Sequence, residues 1–303
     1  CGVRPGHCGR RFRTADPTGV FRPVRKDKTT VEMTGEKGMG AKKRRVALVL
    51  GGGGARGIAH IGAIGELERR GFEIAAVAGT SMGALVGGMY AAGHLEPFRE
   101  WMCALDRYKV FSLVDFAFSS EGLVKGDRVI AAMKELVPDV RIERMPLPFA
   151  AVAADLLTGR EVVLDSGGLY DAIRASISIP SVFRPVRRDG MVLIDGGTVN
   201  PLPLNRVRRE EGDLLIAVDV CAPFAAAPAA GKVSLNYYRM LTASSQIMQQ
   251  HIAGLMRRLY RPDVVVELPA DSFSMFEFYR SEEIVEAGRR ATCEALERRA
   301  AGD

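Results

Sequence analysis

No uninterrupted apolar run in this sequence reaches the ~18 residues that a bilayer-spanning helix needs. The nearest approach is 77–92, and its Gly and Ser residues suit a turn leading into a buried helix better than a membrane span. Metal-binding patterns are missing as well. The five cysteines stand alone at 1, 8, 103, 221 and 293, with no CxxC pair and no ligand spacing to the four histidines. That excludes a zinc ribbon or a finger. An odd, dispersed cysteine count points to free thiols in a reducing, cytoplasmic setting rather than to a disulfide framework. No metal or cofactor is expected. Internal repeats are absent, and with them solenoid architectures.

What is present suits a globular α/β chain. Of 303 residues, 47% are hydrophobic, and mean hydropathy is near zero. The net charge of +6 is unevenly spread. Residues 1–45 hold 13 Lys and Arg against 4 Asp and Glu, whereas 46–303 hold 29 against 32. Basicity therefore belongs to a leader and not to the body. Residues 1–40 lack a sustained apolar period and read as a disordered basic arm. Such an arm is either a solvated tail or an attractor of anionic lipid. No nucleic-acid partner is expected. The opening Cys1-Gly2 fits a lipoprotein after signal removal, a fragment or a mis-called start; Met39-Gly40, directly before the basic run Lys42–Arg45, reads as a natural beginning and favours the last.

Order is expected from Arg45. The run Val46–Leu50 is short, apolar and ends in four glycines, as a buried parallel strand does when it feeds a tight loop. Apolar residues at 58, 61, 64 and 67 predict a helix that Gly71 closes. A second apolar strand, Ile74–Ala78, leads into a small-residue helix over Gly83–Ala92. Together these form a βαβα unit. Residues 95–147 read as mostly helical, with Trp101, Phe111, Phe116 and Phe118 clustered. Strands are predicted over Pro148–Leu156, Glu161–Leu164, Met191–Ile194, Leu214–Val220 and Val264–Leu268. Helices are predicted over Leu169–Ser176, Met240–Leu259 and Ser281–Arg299. An Ala/Pro-rich linker fills 222–231. The predicted division is a leader over 1–40, a main α/β unit over 41–225, and a helical extension over 226–303 packing on the same domain.

Two motifs carry chemistry. Gly79-Thr80-Ser81-Met82-Gly83 matches G-x-S-x-G between a predicted strand and a predicted helix. In that context a sharp turn pushes the serine outward, and the helix N-terminus faces any oxyanion formed there. Ser81 is the candidate nucleophile, with Gly79 and Gly83 giving room. The second motif is Gly51-Gly52-Gly53-Gly54-Ala55-Arg56-Gly57. It contains G-x-G-x-x-G and so raises a dinucleotide-binding alternative. That alternative demands an acidic residue ~20 positions on, where Gly79-Thr80-Ser81 stands instead. Gly52, Gly53 and Gly54 therefore read as an oxyanion hole, in which losing one donor typically costs ~3 kcal/mol. Arg56 is either a packed loop arginine or a cation facing phosphate.

A serine needs a base. His7 lies in the leader, His60 in the first turn after the glycine loop, His94 at a helix end, and His251 on a long helix stripe as a partly buried structural residue. Asp195 ends a strand and is followed by Gly196-Gly197, a loop that presents a carboxylate at the same sheet edge as Ser81. An aspartate bonded directly to the serine hydroxyl serves as general base in a two-residue arrangement.

The set GGGGARG, GTSMG and DGG, in this order, resembles the patatin-like phospholipase family, especially its small bacterial single-domain members. Ala175-Ser176 with Ile179-Pro180 and Phe183, and Asn200-Pro201 after the DGG, extend the likeness over about 45–220. The resemblance implies a three-layer α/β/α sandwich with a mostly parallel central sheet and hydrolysis of lipid acyl esters. By it, Ser81 is the nucleophile, Asp195 its partner, Gly52–Gly54 the oxyanion loop and Arg56 its basic position, with Gly57, Gly196 and Gly197 in support. The expected partner is a lipid or phospholipid ester, with peripheral membrane contact through the basic arm, Phe111–Phe118 or Phe273–Tyr279. Three other readings stay open: a regulatory lipid-binding member with little turnover, a Ser–Asp–His triad through His251, and nucleotide binding by the glycine loop.

Overall fold

The computed structural model describes residues 44–113, 116–119, 122–124, 126–224 and 236–302. The leader over 1–40, with Cys1, Cys8 and His7, lies outside the described residues, as do the linker beyond 224 and the Phe116 and Phe118 side chains. In chain order the elements are β1 (Arg44–Leu50), α1 (Ala59–Arg69), β2 (Phe72–Thr80), α2 (Met82–Ala91), α3 (Leu95–Cys103), α4 (Arg107–Leu113), β3 (Phe116–Ser119), β4 (Gly122–Val124) and α5 (Asp127–Leu136). They continue with β5 (Phe149–Asp155), β6 (Glu161–Leu164), α6 (Leu169–Ser176), β7 (Val186–Arg188), β8 (Met191–Asp195), β9 (Leu214–Ala222), α7 (Tyr237–Tyr260), β10 (Val264–Pro269) and α8 (Ser281–Ala301).

The mixed central sheet has the order β10-β9-β1-β2-β5-β8-β7, with β6 paired to β5. Its five strands from β10 to β5 are parallel, and β6, β8 and β7 run antiparallel to their neighbours. Alternation along β1 sorts the two faces. Val46, Leu48 and Leu50 join the larger core under α1, α2, α6 and α8. Ala47 and Val49 face a smaller core shared with Leu202, Leu204, Leu215, Ala217 and Ala253 of α7. The result is a three-layer α/β/α sandwich. Helix α2 is apolar all round, as the helix of a deep core must be, and its residues Met82–Met89 are all buried.

Two short elements escaped the sequence reading. The β3–β4 hairpin falls where helix was expected, and β7 is a three-residue edge strand holding two arginines. Runs this short carry no periodicity that separates strand from coil. A larger difference concerns α7. Its predicted stripe exists, but Met240, Leu241, Ile247, Met248, Leu255 and Leu259 are exposed, and so is His251, which had been expected partly buried. The small core accepts only Ala253 fully, with Met256 and Tyr260 packed against it.

The register around β5 positions the site. Strand β6 pairs with residues 151–154 of β5, so it occupies one edge. Strand β2 pairs with 149–152 and β8 with 153–155, each overlapping β6, so both must lie on the opposite edge. There they meet end to end. Thr80 is level with Val152 and Asp195 with Ala153, so the chain leaves β2 at Ser81 where Asp195 arrives.

Candidate active site

Ser81 joins β2 to α2 with φ 56° and ψ −124°. An L-residue rarely adopts this conformation, and it persists only when its surroundings hold it there. Four hydrogen bonds do so. The Ser81 N–H donates to Ser176 Oγ at 2.9 Å, and that hydroxyl donates onward to the Val152 carbonyl at 2.6 Å. The Ser81 carbonyl accepts the N–H of Ala84 and of Leu85. Thr80 Oγ1 donates to the Asn200 carbonyl at 2.8 Å. Gly79 and Gly83 close the turn by near contact: a Cβ on Gly79 would strike the Gly83 carbonyl, and one on Gly83 the Leu50 carbonyl.

Asp195 ends β8 on the same edge of β5. Its N–H donates to the Ser178 carbonyl at 2.9 Å, and its Oδ1 accepts the Gly197 N–H at 2.7 Å. Thus the end of α6 holds both residues, through Ser176 and Ser178. Gly196 fits because its Cα lies against the Val152 carbonyl, leaving no space for a side chain. Burial pushes the Asp195 carboxyl up to about 6, partly opposed by the Ser81 hydroxyl and the Gly197 N–H. Oδ2 is buried and makes no formed hydrogen bond. The serine hydroxyl is therefore near enough to favour the carboxylate, while this oxygen still has a free lone pair.

The glycine loop passes over Ser81: a Cβ placed on Gly52 would be 3.4 Å from Ser81 Cβ. Its three candidate donors are not equivalent. The Gly52 N–H is already engaged by the Pro201 carbonyl at 3.0 Å, so it is not a free donor, and this corrects the expectation that all three amides serve an oxyanion. The N–H groups of Gly53 and Gly54 have no acceptor among the described residues. Gly54 has φ +59° and faces the Met275 backbone, a conformation and a gap that both require glycine. Gly57 lies against the Met82 side chain.

The two readings of Arg56 are also resolved. Its guanidinium is buried, donates to the carbonyls of Ala270 (2.6 Å) and Phe273 (3.3 Å), and reaches Cys221 Sγ at 3.5 Å. It ties the glycine loop to the 270–275 segment. Phe273 of that segment and Phe278 beyond it pack against the core, while Phe276 between them stays exposed. Cys103, Cys221 and Cys293 are free thiols.

Among the described residues no histidine joins the site. His60 is fully buried, its Nε2 lies 2.8 Å from the Gly51 carbonyl, and burial lowers it to about 4, so it stays neutral and donates to that carbonyl. Among the described residues no hydrogen bond links His94 or His251 to Ser81 or Asp195. Ser176, Ser178, Thr80 and Asn200 bond the Ser81 turn and the Asp195 strand end, positions that motif chemistry alone did not assign. Ser176 and Asn200 were visible only as pieces of the family likeness, without a role.

The family model described as patatin-like phospholipase matches residues 48–207. An uncharacterized NTE family protein of Mycobacterium tuberculosis is 45% identical over 181 residues, covering 60% of this chain and 50% of that protein. A second from the same organism is 30% identical over 288 residues, covering 86% and 48%. Lysophospholipase nte1 of Emericella nidulans is 32% identical over 185 residues, covering 58% and 12%. The chain thus spans about half the length of the mycobacterial relatives it matches. The matched span runs from β1 through the glycine loop, Ser81 and the Asp195 loop, and it takes in more than half of the sequence: the chain belongs to the patatin-like phospholipase family.

Proposed function

We propose that this protein is a serine acyl hydrolase, of the lipase or phospholipase A type, that cleaves acyl esters of lipids with Ser81 as nucleophile and Asp195 as its base. The observation that carries the reading is the meeting of Ser81, strained at φ 56°, with a buried carboxyl held near 6 and one oxygen left unbonded. A base poised near neutral pH is what proton transfer from a hydroxyl requires. The lysophospholipase name of one relative supports a phospholipid ester as substrate.

In this mechanism Ser81 Oγ attacks the ester carbonyl carbon while its proton passes to Asp195 Oδ2. The carbonyl oxygen becomes an oxyanion, held by the N–H groups of Gly53 and Gly54 and by the N-terminus of α2. The intermediate collapses, the C–O bond breaks, and the leaving alcohol or lysolipid takes the proton from Asp195. Water then gives a proton to Asp195 and attacks the acyl-serine. Fatty acid leaves and Ser81 recovers its hydroxyl hydrogen. No histidine takes part.

Covalent labelling by a fluorophosphonate, together with fatty-acid release from phosphatidylcholine and lysophosphatidylcholine, tests the reading. Wild type should label and hydrolyse, whereas Ser81→Ala should do neither and Asp195→Asn should label far more slowly. A folded wild type that neither labels nor releases fatty acid would refute catalysis and favour the regulatory lipid-binding alternative.

A further inference from the structure

Helix α7 carries apolar surface that the fold leaves uncovered. Tyr237, Leu241, Met248, Leu255 and Leu259 follow one another at intervals of four or seven residues, which aligns them on one side of the helix. Met240 and Ile247 widen the stripe. Exposure is 51% at Ile247, 60% at Met248, 58% at Leu255 and 70% at Leu259. The opposite side is the one the fold uses, with Ala253 buried and Met256 and Tyr260 against the small core.

Charge selects the partner. From Tyr237 to Tyr260 the helix has no Asp or Glu, and its cations stand at its ends, Arg239 in the first turn and Arg257 and Arg258 in the last. Arg261 follows directly. Arg257 is held by Glu267 at 2.6 Å and Asp219 at 3.6 Å. Arg258 and Arg261 make no ion pair among the described residues, and with His251 they line a shallow groove at the C-terminal end of the stripe. An apolar stripe ending in unpaired arginines matches the boundary between acyl chains and anionic headgroups. A second copy of the helix matches poorly. Paired in either direction, two such helices would bring cations together with no acid to offset them.

We propose that α7 is an interfacial helix that docks this protein on an anionic phospholipid bilayer, its apolar stripe seated among the acyl chains and Arg258 and Arg261 on lipid phosphates. The inner side of the same helix reaches the site: Gln249 lies against Gly197, whose N–H holds Asp195. Docking here seats the bilayer on the outer side of the helix whose inner side backs the Asp195 loop. The proposal deepens the lipid-hydrolase reading and rests on it for its biological sense, but the surface is tested independently of turnover.

The test is co-sedimentation of the full chain with vesicles of phosphatidylcholine alone and of phosphatidylcholine mixed with phosphatidylglycerol. It is run beside hydrolysis of a soluble short-chain ester and light scattering. Wild type should prefer the mixed vesicles. The double variant Ile247→Glu with Met248→Glu should weaken binding more than about tenfold. Arg258→Gln and Arg261→Gln should each weaken binding to the mixed vesicles about fivefold. All variants should keep the wild-type rate on the soluble ester. If wild type and variants alike fail on that ester, the hydrolase reading fails while the docking result still stands. Undiminished vesicle binding by the double variant overturns the proposal, because the basic leader would then suffice. A wild-type dimer that the double variant splits, with vesicle binding unchanged, also overturns it and assigns the stripe to a second copy.

Discussion

Replacing Asp195 by Asn should abolish catalysis and stabilise the fold, by an amount that depends on pH. The carboxyl has an ordinary value of 3.8 and is raised to about 6 by burial. Between those values the unfolded chain has released the proton and the folded chain has kept it. The folded state then binds more protons, so stability falls as pH rises through that window and stays low above it. The full penalty is about 3 kcal/mol. Asparagine has the same shape and no charge to bury. Its carbonyl can keep the Gly197 N–H, and its amide can donate to the Ser81 hydroxyl at the position of the orphaned oxygen. At pH 8 the variant should melt about 5–10 °C higher than wild type, and the two should converge toward pH 4. Calorimetric or fluorescence melting across pH 4–8 reads this directly. A gain that is absent at pH 8, or equal at every pH, would refute the account of Asp195 as a base kept buried at a cost in stability.

Three further outcomes follow from the same geometry. The rate on a soluble ester should fall about tenfold per pH unit below about pH 6, as Asp195 takes up its proton; a pH–rate profile flat down to pH 4 counts against the carboxylate base. Ser176→Ala removes the acceptor of the buried Ser81 N–H and should cost about 1–3 kcal/mol in melting experiments while lowering kcat more than it raises KM. His251→Ala should leave the activity of wild type intact, since His251 is exposed and unlinked to the site; a loss as deep as that of Ser81→Ala would restore the triad.

Local signals made much of this molecule legible. The G-x-S-x-G turn, the short apolar runs around it and the glycines after β1 act within a few residues of themselves, so the strand–turn–helix frame of Ser81 was readable from the chain alone. Fold class followed, because short apolar strands alternating with helices permit few architectures. Asp195 could be nominated as a base by its strand-end loop and the lack of a well-placed histidine, and the family likeness pointed to the same residue.

What the chain alone could not settle depends on partners distant in sequence. Ser81 and Asp195 meet because β2 and β8 share one edge of β5, a fact of register with no local signature. The Gly52 amide is engaged by Pro201, and Arg56 is held by carbonyls at 270 and 273, so which donors stay free is decided by segments folded in from elsewhere. Helix α7 makes the same point. Periodicity established that it has an apolar side, but a period names no neighbour, and only the packed structure left that side facing outward.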